Sequence, residues 1–336
     1  MRRPPVAPPA PIPVIVLELV RMILILDGPT RRSNMTSHRW RAVIAVLVTV
    51  SGACGGATDT RAADGALHIV ATTGILGDIV SNVVGDLAEV EVLIPDGADL
   101  HDYRASSSQV AAVHDADLVV ANGLLLEEGL TDVLGAAEAD GARIISIGAL
   151  LDPIPLGSAG PLLDPHVWMD PIRMAEAARL IATELAAVRV GVDWAARAEL
   201  YADQLMALDA EIVTILAVIP NDSRDLVTYH DSLGYFAQRY GFDIVGVVVG
   251  GGSTLAGVSS AELADLITTI ETRGVSALFA EIGESSELPE AVVSEVDHPI
   301  EVVHLHVGSL GEPGSGADSL VGMLRINARL IAEALS

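Results

Sequence analysis

Lysine, cysteine and aromatic residues are absent or scarce in this sequence of 336 residues. All nineteen basic residues are arginine, aromatic residues make up 3% of the chain, and Cys54 is the single cysteine. One cysteine excludes an internal disulfide framework. The 45 acidic residues outnumber the basic ones and give a formal charge of −26. This charge argues against nucleic-acid binding, because phosphates require a basic face.

Hydrophobic residues, by contrast, are plentiful. They make up 51% of the chain, which excludes a disordered protein and is enough for a full core. With so few aromatic rings, that core must consist of Leu, Val, Ile and Ala. The length predicts two domains or one large one.

The first 54 residues differ in charge from the rest and are predicted to be a signal or leader segment. They hold seven Arg and two acidic residues, whereas residues 55–336 hold twelve Arg and forty-three acidic residues. Met35 is the predicted true start, because a short basic stretch and the apolar run at residues 42–50 follow it. That run is too short to span a bilayer of about 30 Å but is typical of a signal peptide.

Cys54 follows this run closely and resembles the acylated cysteine of a bacterial lipobox. Ser51 departs from that pattern, since an aliphatic residue is usual there. A plain secretory signal, cleaved near Ala53 or downstream, is the alternative. Residues 55–66 are small and polar, and they are predicted to be a tether between the leader and the folded protein.

From residue 67 onward, short β-branched runs alternate with helical segments, which predicts an α/β fold with parallel sheets. Two such lobes are predicted, an N-terminal one at residues 67–170 and a C-terminal one at 221–336, joined by linking helices at 171–220. Apolar residues spaced by three and four predict one long helix over 193–218, about 39 Å in length. We expect a ligand site in the cleft between the lobes, at the carboxyl ends of their strands.

Three of the nine histidines lie at the predicted edge of this cleft. His101 follows the second predicted strand, His166 precedes the linking helices, and His230 follows the first strand of the second lobe. Each alone is explained better as a surface or capping residue. Together they indicate a metal site, because imidazole is the commonest protein ligand of zinc.

The chain from residue 67 to 335 resembles the solute-binding proteins of zinc and manganese ABC transporters, which are periplasmic or surface-anchored. The order and spacing of several segments carry the resemblance. These segments are HDY at 101–103, ADLVVANGLLLEEGL at 116–130, DPHVWMDP at 164–171, YHDSLGYFAQRYG at 229–241 and GSGADSLVGMLRINARLI at 314–331.

The resemblance implies that His101, His166 and His230 are metal ligands. The third ligand is a His in zinc-selective members and a Glu in manganese-type members, so the resemblance implies a Zn²⁺ cargo. This agrees with the preference of manganese for oxygen donors. Some zinc members carry a long His-rich loop between the first two ligands, whereas residues 152–163 contain no His.

The fourth ligand position departs from the family pattern. Members of the family have an Asp after the last strand, where this sequence has Gly308. Three candidates for the fourth ligand follow: a water molecule, His306 on the last strand, and Glu281 at the end of a neighbouring strand. Loss of an anionic ligand leaves the +2 charge of the ion uncompensated and should weaken binding.

These features predict an exported receptor that binds zinc without turnover and delivers it to an ABC permease with its cytoplasmic ATPase. We expect a monomer that is tethered to the outer face of the cytoplasmic membrane by a lipid on Cys54. A manganese receptor or an adhesin-like lipoprotein of the same family is one alternative. A three-His zinc hydrolase is another, although the sequence has no HExxH motif.

Overall fold

The structure is a computed structural model that describes residues 66–157, 161–251 and 257–336. The predicted leader, with Met35 and Cys54, and the predicted tether up to residue 65 lie outside the described residues. Within the described part of the chain, no helix is both long enough and apolar enough to cross a membrane.

The first lobe is built on a four-stranded sheet in the order β2-β1-β3-β4, in which every neighbouring pair is parallel. Parallel strands are joined by helices that cover the faces of the sheet, which is why the strands are rich in Val, Ile and Leu. The strands are β1 (Leu67–Thr73), β2 (Ala88–Ile94), β3 (Leu118–Ala121) and β4 (Ile144–Ser146). The helices are α1 (Gly74–Val84), α2 (Ser107–Asp115) and α3 (Thr131–Ala139).

Two helices follow the first lobe. In α4 (Pro171–Val188), proline occupies the first turn and the Asp170 carboxylate accepts a hydrogen bond from the backbone N–H of Ile172 at 2.9 Å. The second, α5 (Trp194–Leu216), has 23 residues. It is therefore about 34 Å long. The residues that the spacing of three and four places on one face are buried, among them Tyr201, Leu205, Leu208 and Ile212.

The second lobe repeats the plan of the first. Its sheet has the order β6-β5-β7-β8, and neighbouring strands are again parallel. The strands are β5 (Asp225–His230), β6 (Asp243–Val249), β7 (Ala277–Glu281) and β8 (Glu301–Leu305). The helices are α6 (Gly234–Tyr240), α7 (Ser260–Arg273), α8 (Glu287–Glu295) and α9 (Leu320–Leu335). The predicted two-lobe α/β fold is thus confirmed.

The long helix α5 contacts both lobes. The Tyr201 hydroxyl donates to the Asp78 carboxylate of α1 at 2.7 Å. Arg325 of α9 donates to Glu211 at 2.8 Å. Because one continuous helix contacts helices of both lobes, we expect it to limit how far the strand ends that face the cleft can separate.

One helix begins later than the sequence predicts. The apolar pattern predicts a helix over residues 125–137, but a short 3-10 helix (Glu128–Leu130) precedes α3, which starts at Thr131. Leu124 and Leu125 have φ angles of 57° and 64°. These angles lie in the left-handed region, which a right-handed helix does not use.

The buried side chain of Glu127 accounts for this turn. Its carboxylate accepts hydrogen bonds from the Thr72 hydroxyl at 2.6 Å and from the backbone N–H groups of Asn122 and Gly123 at 2.8 and 3.0 Å. Three donors on one buried acceptor fold the chain back toward the ends of β1 and β3. This long-range requirement outweighs the local helical pattern.

Candidate metal site

The three predicted histidines lie at the ends of elements that face the cleft. His101 is in the loop after β2, His166 immediately precedes the short helix before α4, and His230 is the last residue of β5. Their exposed fractions are 3%, 1% and 2%. The structure thus contradicts the alternative that they are separate, solvated surface residues.

A short motif fixes the backbone at two of these histidines. Asp99 and Asp164 each lie two residues before a histidine. Their Oδ1 atoms accept the backbone N–H of His101 at 2.8 Å and of His166 at 2.9 Å. Aspartate commonly folds the following backbone in this way. We did not predict this role, although the repeated D-x-H pattern in the sequence is a signal for it.

The three imidazole rings converge on one point. The Nε2 atoms of His166 and His230 lie 3.1 Å apart. One nitrogen from each of the three rings lies within 4.8 Å of the other two. Four-coordinate zinc with Zn–N distances of about 2.0–2.1 Å places its nitrogen ligands about 3.3–3.4 Å apart. The His166–His230 pair has nearly this spacing.

In His166 and His230, a carboxylate contacts Nδ1, the ring nitrogen that does not face the other ring. Asp164 Oδ1 lies 2.7 Å from Nδ1 of His166, and Glu281 Oε1 contacts Nδ1 of His230. Among the described residues, Nδ1 of His101 is buried without a hydrogen-bond partner, and Nδ1 of His230 has none beyond this contact with Glu281. An unpartnered buried nitrogen is unfavourable unless a ligand such as a metal ion binds it.

The surroundings lower the pKa of His101 and raise the pKa of His230. Burial, together with the neighbouring His166 and His230, lowers the pKa of His101 to about 4. Burial also lowers the pKa of His230, but the charge and contact of Glu281 outweigh it, so that this pKa lies above its ordinary value. His101 is therefore neutral at pH 7, which is the form that coordinates a metal.

A cavity of about 280 Å³ opens beside the rings and reaches the surface between the lobes. At one edge, Trp168 Nε1 donates to the backbone carbonyl of Val307 at 2.8 Å and so joins the segment that carries His166 to the end of β8. Residues lining the cavity include the three histidines, Asp99, Trp168, Glu281, Glu284 and Gly308. Gly308 lines the cavity without offering a side-chain ligand.

His306 does not line this cavity, which corrects its candidacy as a fourth ligand. Its backbone N–H and carbonyl form hydrogen bonds with the side chain of Asn327 in α9, at 3.0 and 2.6 Å. Its imidazole lies against Gly311. Glu281, by contrast, does line the cavity, with its carboxylate against His230.

A family match accompanies this geometry. Residues 69–334 match the family model of ZnuA, the periplasmic component A of the zinc-uptake complex. The chain belongs to this family of extracytoplasmic, metal-binding proteins of ABC transporters. Members work with a membrane permease and an ATPase and are not enzymes, so the zinc hydrolase alternative is excluded.

Individual relatives differ in the metal that their names give. The zinc-binding protein TroA of Treponema pallidum is 30% identical over 285 residues, which are 82% of this chain and 91% of TroA. The manganese-binding lipoprotein MntA of Bacillus subtilis is 30% identical over 302 residues, which are 88% of this chain and 97% of MntA. The solved structure of the T. pallidum periplasmic zinc-binding protein superposes with a TM-score of 0.74 at 29% identity, covering 81% of this chain and all of that one.

Proposed function

We propose that this chain is a receptor that binds Zn²⁺ as cargo through His101, His166 and His230 and delivers it to an ABC permease. The convergence of three buried imidazoles from both lobes is the observation that supports it. Ligands from two lobes close around the ion, and α5 limits how far the lobes part to release it. The mechanism is binding and release, without turnover.

The donor set favours zinc over manganese. Three nitrogen donors suit zinc, whereas manganese prefers carboxylate and water oxygens and a larger coordination number. The His166 and His230 Nε2 atoms, 3.1 Å apart, are close enough for one ion to bind both. We propose that a water molecule in the cavity beside Gly308 is the fourth ligand.

A manganese receptor is the second candidate. Asp99 and Glu281 line the same cavity and offer carboxylate oxygens, and MntA of B. subtilis carries manganese in its name. Competition titration of the purified protein with the two metals distinguishes these candidates. We expect zinc to bind more tightly by at least about 100-fold. Equal affinities would support the manganese receptor.

Mutation of the histidines tests the ligand set. We expect His101→Ala, His166→Ala and His230→Ala each to weaken zinc binding by about 100-fold or more, because each removes one of three protein ligands. His306→Ala is the matched control, since that ring lies outside the cavity, and it should stay within about threefold of wild type. If His306→Ala loses as much affinity as the other three, the proposed ligand set is wrong.

We also propose that the receptor is a monomer, anchored to the outer face of the cytoplasmic membrane by a lipid on Cys54. The apolar run before the cysteine supports the anchor. In the native host, Cys54→Ser should move the protein from the membrane fraction to the soluble extracytoplasmic fraction. Unchanged fractionation would contradict the anchor. Sedimentation of the soluble form at micromolar concentration tests the monomer.

A further inference from the structure

We propose that Glu281 is a positioning residue for the metal site, in that it keeps the proton of neutral His230 on Nδ1 and directs the lone pair of Nε2 toward the cation. This inference rests on the proposed function and specifies how one of its ligands is prepared. Glu281 then contacts His230 on the side away from the ion and is not itself a ligand of the ion.

The pairing of two strands brings the carboxylate to the ring. Strands β5 and β7 are parallel neighbours, with Thr228 opposite Phe279. His230 and Glu281 are two residues further along these strands. Each is the last residue of its strand. Because side chains two residues apart share a face of the sheet, His230 and Glu281 lie side by side at the sheet edge that faces the cleft. Glu281 Oε1 contacts the Nδ1 atom of His230 there.

The carboxylate is itself held in place. Glu281 is only 7% exposed, and the Ser232 hydroxyl lies 3.5 Å from the same Oε1 atom. A buried carboxylate accepts but does not donate hydrogen bonds when it is ionised. The ring nitrogen that faces it must therefore carry the proton, and Nε2 is left with a free lone pair.

The first lobe has the same arrangement at His166. Asp164 Oδ1 lies 2.7 Å from Nδ1 of that ring, and Asp164 is also buried. Each Nδ1 atom contacts a carboxylate. On the other side of the rings, the two Nε2 atoms lie 3.1 Å apart. This is a hydrogen-bond distance, so the carboxylates behind the rings stabilise a positive charge between them, which is either a proton or a metal ion.

This arrangement has a consequence for affinity. A neutral imidazole that is not held exchanges its proton between Nδ1 and Nε2, and only the form with a bare Nε2 can bind the ion here. Carboxylates behind metal-binding histidines typically contribute 10–100-fold to metal affinity. Glu281 also places a negative charge one ring away from the cation without occupying a coordination position.

Two substitutions of Glu281 with two matched controls test the proposal by zinc titration of the purified protein. We expect Glu281→Ala to weaken zinc binding by about 10–100-fold and Glu281→Gln to weaken it less, because the amide oxygen can still accept the Nδ1 proton. Glu284 is the control, since it lines the same cavity and acts on His230 through charge alone. Glu284→Ala and Glu284→Gln should stay within about threefold of wild type.

If Glu284→Ala weakens binding as much as Glu281→Ala, the effect is one of general charge and the proposal is wrong. If Glu281→Ala does not fold, Glu281→Gln is compared with Glu284→Gln instead. Equal losses of zinc affinity in these two variants would again show that the proposal is wrong.

Imidazole ¹⁵N NMR of the metal-free protein tests the proton position directly. Wild type should show His230 protonated at Nδ1 at a pH where the ring is neutral. The Glu281→Ala variant should show a mixture of the two neutral forms. A wild-type ring protonated at Nε2 would overturn the proposal.

Failure of the proposed function gives a different result, in which wild type itself does not bind zinc. If wild type binds zinc tightly and the Glu281 variants bind equally well, only the present inference fails.

Discussion

Individual side chains decide when this site is ready to bind a metal. His101 is neutral over the physiological range, because burial and the two neighbouring imidazoles lower its pKa to about 4. His230 has a pKa above the ordinary value, because the effect of Glu281 outweighs that of burial. On acidification of the metal-free protein, His230 therefore takes up a proton long before His101 does.

This difference predicts a specific pH dependence of zinc binding. A proton on His230 must leave before zinc can bind, so the affinity should fall as the pH drops below the raised pKa of this ring. The fall should be about tenfold per pH unit while one proton is displaced, and steeper near pH 4, where His101 also protonates. Calorimetric zinc titrations between pH 8 and pH 4 measure this slope. A constant affinity between pH 8 and pH 5 would contradict it.

The sequence was informative about which histidines come together and uninformative about what holds them. His101, His166 and His230 were predictable because each follows a strand or precedes a helix at one edge of the fold, and the structure brings them together. The contact between Glu281 and His230 depends on which residues of β5 and β7 lie opposite each other. Such register arises from the packing of the whole sheet, which a single sequence does not show.

At the scale of secondary structure, the loop that carries His101 depends on a neighbouring glycine. The backbone N–H of Gly129 donates to the carbonyl of His101 at 3.1 Å. A Cβ atom at Gly129 would lie 2.2 Å from the backbone carbonyl oxygen of Tyr103. Backbone atoms have little freedom to move aside, so any larger residue displaces the loop.

Gly129→Ala is therefore predicted to weaken zinc binding by about tenfold and to lower stability by about 1–3 kcal/mol, because the loop must shift. Gly135→Ala in α3 is the matched control. A Cβ atom there meets nothing within 4 Å. This substitution should raise stability by about 0.5–1 kcal/mol, because alanine favours a helix, and leave the affinity unchanged. Zinc titration and chemical denaturation measure both effects, and similar behaviour of the two variants would be inconsistent with this role of Gly129.

Long elements were predictable from hydrophobic periodicity, and α5 (Trp194–Leu216) lies within the helix predicted over residues 193–218. The segment after β3 was the exception. Its apolar pattern predicts a helix from residue 125, but buried Glu127 accepts three hydrogen bonds and turns the chain instead. Local pattern does not reveal a buried acceptor whose donors come from β1 and the end of β3.

At the scale of the whole molecule, the site joins two lobes that α5 also contacts. His101 and His166 come from segments of the first lobe or its exit, and His230 comes from β5 of the second. The hydrogen bond from Trp168 to the carbonyl of Val307 lies at the edge of the same cavity. An ion bound by all three histidines therefore adds a further link between the lobes.

Zinc should accordingly raise the melting temperature of the folded protein. At a free zinc concentration of about 1,000 times Kd, binding stabilises the folded state by about 4 kcal/mol. This corresponds to an increase of about 10 °C for a protein of this size. Thermal unfolding with zinc and with a chelator measures the shift. The His166→Ala variant should show little shift, and an equal shift in that variant would contradict stabilisation through this site.

X-ray absorption spectroscopy at the zinc edge of the zinc-loaded protein tests the central claim most directly, because it counts the imidazoles around the ion. We predict four ligands at about 2.0–2.1 Å, three of them imidazole nitrogens and the fourth an oxygen. His230→Ala should lose one imidazole from this shell. A six-coordinate shell dominated by oxygen, or a shell with no more than one imidazole, would contradict the claim that three histidines hold one zinc ion.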